Sequence, residues 1–68
     1  MVNVKKLRAK IIEKGLTITK ISQKLDMDSS TFYRKLKNNG AFLTIKDVDK
    51  LFKILELDTQ EANNIFFA

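Results

Sequence analysis

Cysteine, histidine, tryptophan and proline are all missing from this chain, and glycine occurs only twice. Without Cys there is no disulfide to staple a small domain and no soft metal ligand. Without His or Cys the usual structural zinc sites, the Ser-His-Asp and Cys-His arrangements and the commonest general base are excluded. Acid–base chemistry would fall to carboxylates, Lys or Tyr. The close carboxylate pairs, Asp47 with Asp49 and Glu56 with Asp58, are two residues apart, which sets them on different sides of a helix or astride its end. They fit capping and solubility, so no enzyme, no metal and no cofactor is expected. No apolar run approaches the ~20 residues that span a bilayer, and Met1 is not followed by an apolar signal core.

What remains is 68 residues, 44% hydrophobic and 31% charged. That composition describes one small globular domain, with too little interior for two cores. Its stability must come from helix packing, with help from a partner where one exists.

The net charge of +5 is unevenly spread. Residues 1 to 37 carry ten basic side chains (Lys5, Lys6, Arg8, Lys10, Lys14, Lys20, Lys24, Arg34, Lys35, Lys37) against Glu13, Asp26 and Asp28, a balance of +7. Residues 38 to 68 carry −2. Such a pole draws an anionic partner, with nucleic acid ahead of an anionic membrane surface. A solvated Lys-rich surface with no partner has the same composition.

Apolar spacing predicts helix almost throughout. Val4, Leu7, Ile11 and Ile12 recur at helical steps between an N-cap at Asn3 and a C-terminal Gly15. Thr17 caps a short second helix carrying Ile18, Ile21 and Leu25, with the small Ser22 among them. Asp26 suits a left-handed turn, and Asp28 is expected to cap the third helix with its side chain, turning Phe32 and Leu36 inward. Asn38, Asn39 and Gly40 accept positive φ and stop that helix. Thr44 with Asp47 opens a fourth helix whose face is Ile45, Val48, Leu51, Phe52 and Leu55. Asp58 with Glu61 opens a fifth, with Ala62, Ile65 and Phe66 inward. Five helices leave no room for a sheet.

The informative segment runs from Thr17 to Lys37: a short helix, a tight turn through Asp26 and Met27, and a second helix with a polar outer side. Its stretch KGLTITKISQKLDMDSSTFYRKLKNNG resembles the lambda-repressor-like, Cro/CI-type helix-turn-helix family of phage and bacterial regulators. The lead-in Lys14-Gly15-Leu16-Thr17 and the run from Ser30 to Leu36 are the most family-like parts, and the likeness covers the whole chain. Asp26 stands where Gly is usual and Ser22 where Ala is frequent. Ile18 replaces a frequent phosphate-contacting Gln, so no contact is carried over to it.

The resemblance implies a compact all-α, five-helix DNA-binding domain over residues 1–68, acting as a cytoplasmic transcription regulator or repressor in a bacterial cell or phage-infected host. The helix at about 29–37 would enter the major groove of double-stranded operator DNA, and the first helix of the pair would cross the backbone. Ser29, Ser30, Tyr33 and Arg34 would face base edges, Arg34 foremost because a guanidinium pairs bidentately with guanine. Thr17, Lys20, Lys35, Lys37, Asn38 and Asn39 would hold phosphates. At the far end, Phe66 and Phe67 are adjacent and cannot both face one core. They are candidates for a two-fold homodimer contact, or both pack within the chain. A start at Met1 and a stop at Ala68 suggest a whole regulator. The alternative function is a protein-binding helical module such as an antitoxin, antirepressor or regulatory subunit.

Overall fold

A computed structural model describes all 68 residues as five helices with no strand: α1 Val4–Glu13, α2 Ile18–Lys24, α3 Ser29–Gly40, α4 Ile45–Ile54 and α5 Thr59–Phe66. No helix is long and apolar enough to cross a membrane.

Four of the helix starts are fixed by side chains. Asn3 accepts the Lys6 N–H at 3.0 Å and Thr17 accepts that of Lys20 at 3.1 Å. Thr44 and Asp47 form a reciprocal capping box, as do Asp58 and Glu61. Each box satisfies two of the amides that a helix start leaves without partners. Asp28 is the exception. It occupies the N-cap position of α3, yet its side chain makes no capping hydrogen bond and stays in solvent, where water can serve the first-turn amides.

Three helices end in the same way. After α1, Gly15 (φ +74°) donates to the Ile12 carbonyl at 2.9 Å and Leu16 to that of Ile11 at 3.0 Å. These paired bonds make a Schellman turn, which needs a left-handed residue. Asp26 (φ 58°) fills that position after α2, with Met27 donating to the Ser22 carbonyl at 3.0 Å. After α4 it is Glu56 (φ 51°), with Leu57 donating to Phe52 at 3.1 Å. The end of α3 is more abrupt. Helical geometry stops at Leu36, Lys37 is extended, and Asn38, Asn39 and Gly40 are all left-handed. A side chain at Gly40 has no room, because an added Cβ would lie 2.7 Å from Val2 Cβ.

One cluster of twelve buried apolar residues joins the elements, including Leu7 and Ile11 of α1, Ile21 of α2, Phe32 and Leu36 of α3, Leu51 of α4 and Ile65 of α5. Ser22 is the small residue at the α2–α3 contact; it is buried, and its hydroxyl donates to the Ile18 carbonyl at 2.7 Å. Across the molecule, Lys10 of α1 bonds both Glu13 and Glu61, tying α1 to α5. The Glu13 bond, then the Glu61 bond, raises the Lys10 ammonium above the usual lysine range, and Lys10 in turn holds the Glu61 carboxyl low.

Two expectations about facing are corrected, and a third, left open between core and surface, is resolved. Ile12 is 73% exposed, because it lies about 100° around the helix from Ile11 and so outside the narrow Leu7/Ile11 stripe. Ile45 is 90% exposed at the first position of α4, ahead of the turn that packs. Phe66 is buried, so the pair of terminal aromatics splits: Phe66 belongs to the core and Phe67 alone, 74% exposed, remains at the surface.

Candidate functional site

The basic half of the chain is organised by α2 and α3. The left-handed Asp26 closes the turn between the helices, and Ile21, Leu25, Phe32 and Leu36 are buried in the core that both share. Once Phe32 and Leu36 are fixed inward, helical spacing sends Ser30, Tyr33 and Arg34 outward, and all three are exposed. Ser30, Tyr33 and Arg34 therefore share one side of one rigid helix, whereas Ser29, three residues before Phe32 and seven before Leu36, is half-buried on the inward side.

The flanking residues divide. Lys20, Lys37, Asn38 and Asn39 are exposed, and neither lysine is in an ion pair. Thr17 Oγ1 is already an acceptor for the Lys20 amide, which fixes the first turn of α2. The Asn39 carbonyl accepts the Val2 N–H at 3.1 Å, holding the loop after α3 against the N-terminus. Lys35 is different: its ammonium donates to Asp47 Oδ2 at 2.6 Å. The same oxygen accepts the Thr44 N–H at 3.0 Å. Burial pushes the Asp47 carboxyl up, but the Lys35 hydrogen bond and the Thr44 contacts outweigh it and hold the group below the usual carboxylate range. Lys35 is thus neutralised by its own fold, whereas Lys20 and Lys24 of α2 and Arg34 and Lys37 of α3 are in no ion pair.

One further cation reaches this face, and charge and period alone did not single it out. Arg8 of α1 places its guanidinium carbon 5.7 Å from the centroid of the Tyr33 ring, within cation–π range. Its position one residue after the buried Leu7 was the available signal, but which helix faces α1 at that point is a matter of tertiary packing.

Two of the surface concavities stand out by their chemistry. One, between the end of α2 and the start of α3, is lined by Gln23, Asp26, Met27, Asp28 and Thr31. Its two carboxylates make it unsuited to an anion. The other is an apolar groove of about 390 Å3 between α4 and α5, with Val48, Phe52, Ala62 and Phe66 in its walls. Ile45 and Phe67 border it and also border a second, adjoining hollow, so the two exposed apolar side chains form a ridge beside a groove. No three carboxylates gather where they would hold a metal ion.

Comparison with protein-family models, with curated proteins and with solved structures returned no match for this chain.

Proposed function

We propose that this chain is a sequence-specific double-stranded DNA-binding protein of the lambda-repressor-like, helix-turn-helix class, a transcriptional regulator in which α2 and α3 form the motif and α3 reads the major groove. The single observation that carries the reading is the outer face of α3: Ser30, Tyr33 and Arg34 exposed together, with Phe32 and Leu36 buried behind them. A protein-docking face would be apolar at its centre. This one is polar, is bordered by unpaired Lys20, Lys24 and Lys37, and has no carboxylate on the outward positions of the helix.

In this reading Arg34 supplies base discrimination, worth ~1–3 kcal/mol for a bidentate guanine contact. Ser29 and Ser30 supply hydrogen bonds at the helix start, and Tyr33 contacts a thymine methyl or a phosphate. Thr17, Lys20, Lys37, Asn38 and Asn39 clamp the backbone on either side. Lys35 joins them only when it leaves Asp47. No side chain is assigned a catalytic role. Two copies pair through the ridge of Ile45 and Phe67, each inserting into the other's α4–α5 groove, which is self-complementary as a two-fold contact requires. Domains 28 Å in their longest dimension suit half-sites one helical turn, ~34 Å, apart.

The test is titration of a random-sequence duplex pool at several salt concentrations, followed by selection of preferred sites. With Lys20 and Lys37 neutralising phosphates, the logarithm of affinity should fall with the logarithm of salt at a slope of about −2 per chain, steeper where further cations join them. Arg34→Ala should erase preference at one base position and leave non-specific binding largely intact. Absence of binding to any duplex at low salt would reject the proposal in favour of a protein-binding module.

A further inference from the structure

The chain has two arginines among thirteen basic residues, and both border one side chain. Arg34 is the chain neighbour of Tyr33, and Arg8 arrives from α1 to lie over the Tyr33 ring. We propose that Arg8 is a phosphate-binding residue of the nucleic-acid surface, supported by Tyr33, so that the interface extends from the α2–α3 pair onto α1. The inference rests on the DNA-binding reading above.

The chemistry favours this role over a structural one. Arg8 is exposed and has no carboxylate partner, so its charge is not neutralised within the fold. A guanidinium drawn to an aromatic ring by its charge spends no N–H on a carboxylate there, so its fork stays free, and that fork matches two phosphate oxygens. The ring also narrows the rotamers of a long side chain, which lowers the entropy lost when a phosphate is bound. A lysine at this position would present a point charge with no planar face to stack, and lysine is what the chain uses at its other cationic sites on α1. Lys5, one turn before Arg8 on nearly the same side of α1, is exposed and adds to the positive potential there.

Arg8 brings an unpaired positive charge to Tyr33, and that charge is compensated only when an anion lies beside it. Tyr33 then has a definite duty: half its surface is open, its ring is a platform for Arg8, and its hydroxyl is left for the ligand. Arg8 contributes affinity without sequence information, because phosphates are the same at every step.

The experiment measures binding of the full chain to a random 20-base-pair duplex pool as a function of salt, for the wild type, Arg8→Gln, Arg8→Lys, Tyr33→Leu and the double variant Arg8→Gln/Tyr33→Leu, with folding of each variant checked by thermal melting. Arg8→Gln should reduce the magnitude of the salt slope by about 0.9 and weaken binding to every sequence alike, with the ranking of selected sites unchanged. Arg8→Lys should restore the slope but only part of the affinity, since charge is kept and the fork is lost. Tyr33→Leu should lower affinity in the wild-type background by more than in the Arg8→Gln background, because the ring acts on phosphate through Arg8. A wild-type slope left unchanged by Arg8→Gln, while Arg34→Ala still alters base preference, would overturn the role of Arg8 and leave the DNA-binding reading standing. A wild type that binds no duplex would overturn both.

Discussion

Asp47→Asn is expected to move stability and DNA affinity in opposite directions. One carboxylate oxygen, Oδ2, receives both the Lys35 ammonium at 2.6 Å and the Thr44 N–H at 3.0 Å. An asparagine carbonyl can still accept the Thr44 N–H, so the cap is kept, but a neutral oxygen no longer holds the Lys35 ammonium against water and the ion pair is lost. A hydrogen bond to a charged group contributes ~1.5–3 kcal/mol. The lower end applies because the Lys35 side chain is 23% exposed and can turn to water. A loss of about 1.5 kcal/mol corresponds to a fall in Tm of roughly 6–12 °C for a domain this size. At the same time Lys35, no longer neutralised, joins the cations around α3 and should steepen the salt slope of duplex binding by about 0.9. Acid gives an independent control. The Asp47 carboxyl is held low in the folded state, so its contribution is present above the unfolded value of about 3.9 and disappears as pH falls through the folded value. The stability gap between wild type and variant should therefore be full at neutral pH and close in acid. Thermal melts from neutral pH down to strongly acidic buffer, with parallel salt titrations on a fixed duplex, supply both readouts. An unchanged Tm at neutral pH, or a gap that widens in acid, would refute the role given to the Lys35–Asp47 pair.

Glu56 holds the left-handed position of the turn after α4 with a side chain that is strained there by about 1–2 kcal/mol. Glu56→Gly should relieve that strain, and after the added freedom of the unfolded chain it should raise stability by about 0.5–1 kcal/mol in denaturant titrations; a lower midpoint would contradict the strain argument. Phe67→Ser removes half of the exposed ridge without touching the core, since Phe66 carries the packing. Sedimentation should then show a shift toward monomer with the melting behaviour of the monomeric unit preserved, and an unaltered mass would reject the proposed pairing surface.

Much of the architecture could be read from residue types because it is local. Asn3, Thr17, Thr44 and Asp58 cap helices through atoms within three residues of themselves, and Asp26, Asn38 and Asn39 belong to the few non-glycine types that enter the left-handed region readily. Glu56 escaped notice for the complementary reason: glutamate has no such preference, and its conformation is imposed by the packing of Leu55 and Leu57 on either side, both buried. Asp28 has the right type and place for a cap, yet its side chain makes no such bond, a difference from the equally exposed Asp58 that nothing in the structure explains. Ile12 and Ile45 show that a hydrophobic period locates a stripe only to within a residue or so, and the width of the stripe depends on the neighbours. Of the candidate site, the outward set Ser30, Tyr33 and Arg34 follows from period once Phe32 and Leu36 are turned inward. The engagement of Lys35 with Asp47, twelve residues away on α4, and the arrival of Arg8 over Tyr33 are contacts between elements, which no local pattern specifies.

Mapping of backbone amide shifts in the labelled protein on addition of a random-sequence duplex shows directly whether the outer face of α3 meets DNA. The largest changes should fall on Ser30, Tyr33, Arg34 and Lys37, with smaller ones at Arg8 and Lys20. Changes concentrated on Ile45, Phe52, Asn63 and Phe67, or none at low salt, would rule out DNA binding through α3.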